Sequence, residues 1–158
     1  MRLSGLMPLR RSPSRRGSAG RLCLRNAKGA SVLIVAAILA VVAAAVAFYL
    51  FVLQSLRWTD PGTVAIFQLR GSGAAAATAQ LAYNLGFYNL FLAVGACLGV
   101  VLLIAGNAVA GMTLMTFTTA CLLLASVVLV LSDRRLARLA LVQGGPAAAS
   151  LFFSLLGT

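Results

Sequence analysis

The chain is built from four long apolar runs separated by polar segments. The runs cover residues 31–53, about 80–104, 108–131 and 139–157, and every charged residue lies outside them. A helix needs about 20 apolar residues to cross the hydrocarbon core of a bilayer. Each run has about this length, so the pattern predicts an all-α fold, a four-helix transmembrane bundle.

The connections between the runs differ in length. Residues 54–79 form the only sizeable loop, whereas "AGNAVAG" (105–111) and "SDRRLAR" (132–138) are short. Short connections place consecutive helices side by side and antiparallel, so residues 30–158 are expected to form one compact domain. Within the long loop, "TVAIFQL" (63–69) is expected to lie in the membrane interface as a short amphipathic segment.

A basic tail precedes the first run. Residues 1–28 contain eight of the thirteen Lys and Arg residues, are rich in Ser and Gly, and show no apolar periodicity. This composition predicts a disordered segment. The other five basic residues flank the apolar runs, where charges act as topology signals and as contacts to lipid headgroups. The net charge of +11 therefore indicates the lipid bilayer as the partner, and no nucleic acid.

The tail also bears on processing and orientation. Ala45-Val46-Ala47 resembles the cleavage site of a signal peptide, but the apolar run continues through residues 48–51, which favours a retained helix. Positive charge is enriched on the cytoplasmic side of membrane proteins. We therefore expect a multi-pass protein of the cell membrane with both termini in the cytoplasm. The three arginines of residues 132–138 would then lie on the opposite side, which is the contrary indication.

The chain lacks most of the side chains that carry catalysis. It contains no His and no Glu, and its two acidic residues, Asp60 and Asp133, lie in the loops. This excludes a Ser-His-Asp triad, a His-based metal site and a pair of catalytic carboxylates. The spans also lack the ionisable group that proton-coupled transporters carry. We expect no enzymatic activity, no cofactor and no metal. The cysteines, Cys23, Cys97 and Cys121, form no CxxC pattern and are interpreted as small apolar residues.

The start of the second span carries an unusual set of polar side chains. Gln80, Asn84 and Tyr88 are spaced at i, i+4 and i+8 and so share one face, and Asn89 lies about 100° further round the helix. Because the helices alternate in direction, the end of the first span and the starts of the second and fourth meet at one membrane face. The polar side chains near that face are therefore expected to converge and form hydrogen bonds. The members of this candidate polar patch are Gln54, Trp58, Asn84, Tyr88, Asn89 and Gln143, of which the last four are expected to turn inward.

Small residues and a proline mark candidate packing positions. Gly95 and Gly99 form a G-x-x-x-G motif in the second span, and small residues let helix backbones approach closely. We interpret the motif as a helix-packing surface within the bundle, with a dimer face as the alternative. Pro146 removes a backbone donor early in the fourth span and predicts a kink there.

Three segments together form a more specific pattern than any one of them. They are "RWTDP" (57–61), "LAYNLGFYNLFLAVG" (81–95) and "LVQGGPAAASL" (141–151). The set resembles the small bacterial membrane family catalogued as domain of unknown function 1304, from about residue 44 onward. The resemblance implies the four-helix architecture and no established biochemical activity. The matching residues are Trp58, Thr59, Pro61, Asn84, Gly86, Tyr88, Asn89, Gln143, Gly144 and Pro146.

Some positions depart from the pattern of that family. Val46 and Ala47 stand where the family has a Glu-His pair, and Gln54 stands where it has another Glu. Leu85 replaces a Gln in the second span. If the activity of the family depends on those acids or that His, this chain is a divergent or inactive member.

Two functional interpretations follow from these observations. The first is a structural, accessory or oligomer-forming membrane protein, whose partner is a second copy or another membrane protein. The alternative is a transporter or a small-molecule or lipid-binding protein with a neutral polar pocket. The observation that separates them is whether the polar face of the second span lines a cavity, packs tightly or faces lipid.

Overall fold

The computed structural model describes residues 14–157, and every regular element in that range is a helix. The first helix, α1, spans Ser14–Phe51 and continues into a π-helical turn at Val52–Leu56. A short helix, α2 (Pro61–Ile66), lies in the long loop. The remaining elements are α3 (Ser72–Ile104), α4 (Ala108–Ser132), a 3-10 turn (Arg134–Leu136) and α5 (Ala137–Leu156).

Four segments of this structure are long and apolar enough to cross a membrane. They confirm the predicted all-α fold with four membrane-spanning helices, and the chain is a multi-pass membrane protein. The segments are Lys28–Leu56, Ser72–Ile104, Ala108–Ser132 and Arg134–Leu156.

Two helices begin before the predicted membrane spans, which start at residue 31 and at about residue 80. α3 begins at Ser72, directly after Gly71, whose φ of 88° is a left-handed conformation that glycine adopts without strain. The alanines at 74–77 then extend the helix, because Ala has the highest helix propensity.

α1 begins at Ser14, so residues 14–28 are helical where the sequence predicts a disordered tail. Adding a residue to an existing helix is much easier than nucleating a new one, which explains the extension of α1 from its apolar part. Residues 1–13 of the predicted tail lie outside the described part of the chain.

The long helices form an up-and-down bundle in which each packs against the next along the chain. α5 returns to pack against α1 and closes the ring. The centre of the bundle is built mainly from alanine, which lets the helix axes lie close together. The central cluster consists of Ala43, Ala44, Ala47, Ala93, Ala96, Leu122 and Ala147.

α3 and α4 are in close contact in the half of the bundle near the turn that joins them. A Cβ on Gly99 would lie 2.6 Å from the backbone nitrogen of Met115, and a Cβ on Gly95 would lie 2.7 Å from Cγ2 of Thr118. Both glycines of the G-x-x-x-G motif therefore face α4 of the same chain. Pro146 lies inside α5, and the helix continues beyond it to Leu156.

The long loop folds over the end of the bundle at which α1 ends and α3 and α5 begin. The indole nitrogen of Trp58 donates a hydrogen bond to the carbonyl oxygen of Ala75 at 3.0 Å, and its ring lies 4.9 Å from that of Phe67. The amide nitrogen of Gln68 donates to the carbonyl oxygen of Arg135 at 3.0 Å. These contacts fix the loop to both α3 and the turn before α5.

Candidate functional site

A cavity of about 200 Å³ lies under this loop, and we call it the amide cavity. Residues from α1, its π-helical turn, the loop, α3, α4 and α5 all contribute to its wall, so it lies where the four spans and the loop meet. Its polar lining residues are Gln54, Tyr88, Asn89 and Gln143, and the others are apolar. The lining residues are Leu50, Gln54, Phe67, Leu85, Tyr88, Asn89, Leu92, Ala125, Leu129, Leu139 and Gln143.

Two amide side chains in the cavity are bonded to each other. Nδ2 of Asn89 donates a hydrogen bond to Oε1 of Gln54 at 2.8 Å. Gln54 belongs to the π-helical turn at Val52–Leu56. Such turns in α-helices occur frequently at functional sites because they shift the direction of the side chains they contain. The bond joins the end of α1 to α3 inside the wall of the cavity.

The third amide, that of Gln143, has polar atoms that remain accessible from the cavity. Its residue is 5% exposed, it lines the amide cavity, and its side chain forms no hydrogen bond within the part of the chain that the structure describes. A Gln side chain offers two N–H donors and a carbonyl acceptor. Gln143 is therefore available to a molecule that enters the cavity.

The cavity reaches the outer surface of the bundle between α3 and α4. Tyr88 on α3 is 64% exposed although it lines the cavity, and Leu85 on α3 and Ala125 on α4 are exposed as well. The close contact between these helices lies further along α3, at Gly95 and Gly99. The cavity is therefore exposed at the level of Tyr88.

A family model matches residues 41–155, and its description is "Protein of unknown function (DUF1304)". The chain belongs to this family. The match confirms the resemblance of the three sequence segments and covers all the long helices, from within α1 to near the end of α5. Neither the search of curated proteins nor the search of solved structures found a match.

Two of the three DUF1304 segments, 81–95 and 141–151, line the amide cavity, but not every predicted patch residue does. Gln54, Tyr88, Asn89 and Gln143 line the cavity together. Trp58 lies outside it, because its indole nitrogen is bonded to Ala75 and, at 3.3 Å, to Oγ1 of Thr78. Trp58 instead holds the loop that covers the cavity.

The prediction that Asn84 turns inward is wrong. Asn84 is exposed and does not line the cavity, and Gln80 on the same stripe is exposed too. The face of α3 that lines the cavity carries Leu85, Tyr88 and Asn89, and Asn84 lies about 100° away from Leu85 around the helix. The polar spacing identified one stripe of α3, but the neighbouring stripe lines the cavity.

The sequence did not predict the contact that holds the end of α1 against α3. Oγ of Ser55 donates a hydrogen bond to the carbonyl oxygen of Tyr83 at 2.9 Å. Gly86 lies directly beneath, and a Cβ on it would overlap the side chain of Ser55 and lie 3.1 Å from its backbone nitrogen. Gly86 is among the residues shared with the family pattern, and that match was the available signal for this close approach.

Proposed function

We propose that the protein binds a small, neutral, membrane-soluble ligand in the amide cavity and is not an enzyme. The observation that carries this proposal is the unpaired amide of Gln143, whose polar atoms are accessible at the wall of a cavity that also contains the Asn89–Gln54 pair. A Gln amide offers two donors and an acceptor, so a ligand with one hydroxyl or carbonyl group can form a hydrogen bond with it.

The chemistry of the wall supports a neutral ligand. Among the described residues that line the cavity, none is Asp, Glu, Lys, Arg or His. Gln54 stands where the family resemblance leads one to expect Glu, so this chain presents an uncharged amide there. A charged ligand would enter this site without a counter-ion, which is strongly unfavourable in an apolar environment. A hydroxyl or carbonyl group attached to an apolar body fits both parts of the wall.

The opening between α3 and α4 supports entry from the bilayer. The exposed rim consists of Leu85, Tyr88 and Ala125, of which only Tyr88 carries a polar group. An apolar tail can remain in this opening while the polar head reaches Gln143. A dimer through the G-x-x-x-G motif, by contrast, finds no support, since Gly95 and Gly99 contact α4 of their own chain.

Three probes with the same tail test the proposal. Farnesol carries a neutral hydroxyl head, farnesene has no polar head, and farnesoic acid has a charged one. The protein in lipid nanodiscs should show a rise in Tm that saturates with farnesol, and no such rise with farnesene or farnesoic acid. Equal effects of farnesol and farnesene would contradict the role of the amides.

A matched pair of variants separates the site from a general effect on the membrane. Gln143→Leu should weaken farnesol binding about tenfold, because the ligand loses one hydrogen bond in a buried site. Gln80→Leu removes the same amide from an exposed position on α3 and should leave binding unchanged. Farnesol binding that survives Gln143→Leu would overturn the proposal.

We also propose that both termini lie in the cytoplasm of a cell whose plasma membrane holds the protein. The support is the excess of basic residues in 1–28, which precedes the first span. The test is a C-terminal fusion to a reporter enzyme that works only in the cytoplasm, and this fusion should show reporter activity. Activity of a reporter that works only outside the membrane would reverse the assignment.

A further inference from the structure

A second concave site lies beside the amide cavity, at the start of α5. This groove of about 250 Å³ runs between the loop and α5, and we call it the arginine groove. It is separate from the proposed function, since none of the three amides of the cavity lines it. The lining residues are Ile66, Gln68, Arg135, Leu136, Arg138, Leu139 and Val142.

Both arginines of the groove lack a counter-charge. Arg135 and Arg138 are exposed, and neither guanidinium forms an ion pair or hydrogen bond with another described residue. The two aspartates at this end of the bundle interact with other groups. Asp60 lies 3.7 Å from Arg57, and the carboxylate of Asp133 accepts the backbone N–H of Arg135 at 2.9 Å. Two free cations therefore face the same groove.

The groove changes from charged to apolar along the membrane normal. Val142 follows Arg138 by one helical turn and so lies on the same face of α5, about 6 Å deeper in the membrane. Val142 is 56% exposed, and Ile66 across the groove is 40% exposed. A charged rim above an apolar floor matches a molecule with an anionic head and an acyl chain.

The wall opposite α5 is held in place by Gln68. This residue has a φ of 52°, a conformation that costs energy for a residue with a side chain. The 3.0 Å hydrogen bond from its Nε2 to the carbonyl oxygen of Arg135 ties the loop to the turn that carries both arginines. The groove is therefore a built feature of the fold and not a gap between independent segments.

We propose that the arginine groove binds the phosphate of an anionic phospholipid from the surrounding bilayer. The guanidinium group matches phosphate oxygens in geometry and charge. Arg135 and Arg138 contact the phosphate, and one acyl chain lies along Ile66 and Val142. The lipid would then bridge the loop and α5 at the end of the bundle that carries the amide cavity.

Native mass spectrometry of the full chain released from nanodiscs tests this lipid site. The nanodiscs contain phosphatidylglycerol and phosphatidylcholine in equal amounts, and the readout is the ratio of bound lipids. Each arginine near an anionic headgroup contributes about fivefold in affinity, so Arg135→Gln with Arg138→Gln should reduce the preference for phosphatidylglycerol roughly 25-fold. The matched control, Arg57→Gln with Arg70→Gln, removes two charges outside the groove and should retain most of the preference.

Two other results would reject the lipid site. An equal loss of preference in both double variants would mean that charge alone attracts the lipid, and the groove would be rejected as a site. Displacement of bound phosphatidylglycerol by inorganic phosphate or glycerol 3-phosphate at millimolar concentration would point to a free phosphate ligand and overturn the lipid assignment. Gln143→Leu should keep the lipid preference, so this test and the farnesol test can fail independently.

Discussion

Asn89 donates its side-chain hydrogen bond to Gln54, 35 residues earlier in the chain, at a distance of 2.8 Å. The two residues belong to α3 and to the π-helical turn that ends α1. Their bond joins two walls of the amide cavity and leaves Gln143, on α5, as the amide without a partner. The site is therefore asymmetric, with one hydrogen-bonded amide pair and one free amide.

A double-mutant cycle measures the Asn89–Gln54 bond. Hydrogen bonds between membrane helices average about 0.6 kcal/mol, with a maximum near 1.7. We expect a coupling free energy in this range between Asn89→Leu and Gln54→Leu, measured by unfolding in detergent. Gln54→Glu keeps an acceptor for Asn89 and should behave closer to the native protein than Gln54→Leu. Strictly additive effects of the two Leu variants would show that the bond contributes nothing.

Gly99→Ala should destabilise the bundle by about 1–3 kcal/mol, which is the usual cost of overpacking. The new methyl group would lie 2.6 Å from the backbone nitrogen of Met115, and backbone cannot move aside as a flexible side chain can. Gly73→Ala is the control, because a Cβ there meets nothing within 4 Å. It should be neutral or slightly stabilising. Similar Tm values for the two variants would contradict the close approach of α3 and α4.

Ser150→Ala should weaken the contact between α1 and α5. Oγ of Ser150 is fully buried and donates a hydrogen bond to the carbonyl oxygen of Ala36 at 2.9 Å. We expect a loss of about 0.6 kcal/mol in the free energy of unfolding. Ser154→Ala is matched to it, since Ser154 is equally buried but bonds only within α5, to the carbonyl oxygen of Ser150. A larger effect of Ser154→Ala would reverse the assignment.

Cysteine cross-linking distinguishes the buried stripe of α3 from the exposed one. In a background with Ser at positions 23, 97 and 121, Asn89→Cys with Gln143→Cys should react readily with a short bismaleimide, because both positions line one cavity. Asn84→Cys with Gln143→Cys should react poorly, since Asn84 is exposed on another face. The reverse order of reactivity would mean that α3 is rotated relative to this structure.

The sequence predicted the architecture well because membrane spans are defined by length and polarity alone. It also placed the ends of three spans at one membrane face, which brought Gln54, Asn89 and Gln143 together correctly. The rotation of α3 about its axis could not be read in the same way. That rotation depends on which side chains the other helices can approach, and Gly95 and Gly99 against α4 are part of what sets it.

The boundaries were harder to predict than the spans. The predicted second span starts at about residue 80, whereas α3 begins at Ser72, after Gly71 and ahead of the Ala-rich residues 74–77. The role of Ser55 was also hidden, because a serine near a helix end has many local partners. Its contact with Tyr83 depends on Gly86, a residue from another helix.

Because the core is built from alanine, this protein tolerates smaller residues at core positions but not larger ones. Replacing a central residue such as Ala47 or Ala96 by glycine removes a single methyl group, whereas any larger side chain must push two helix axes apart. The separation of the helices, more than the volume of buried side chains, then fixes the width of the amide cavity. Sequence drift at these positions would widen the bundle and change what the cavity can hold, even where every residue that lines it stays the same.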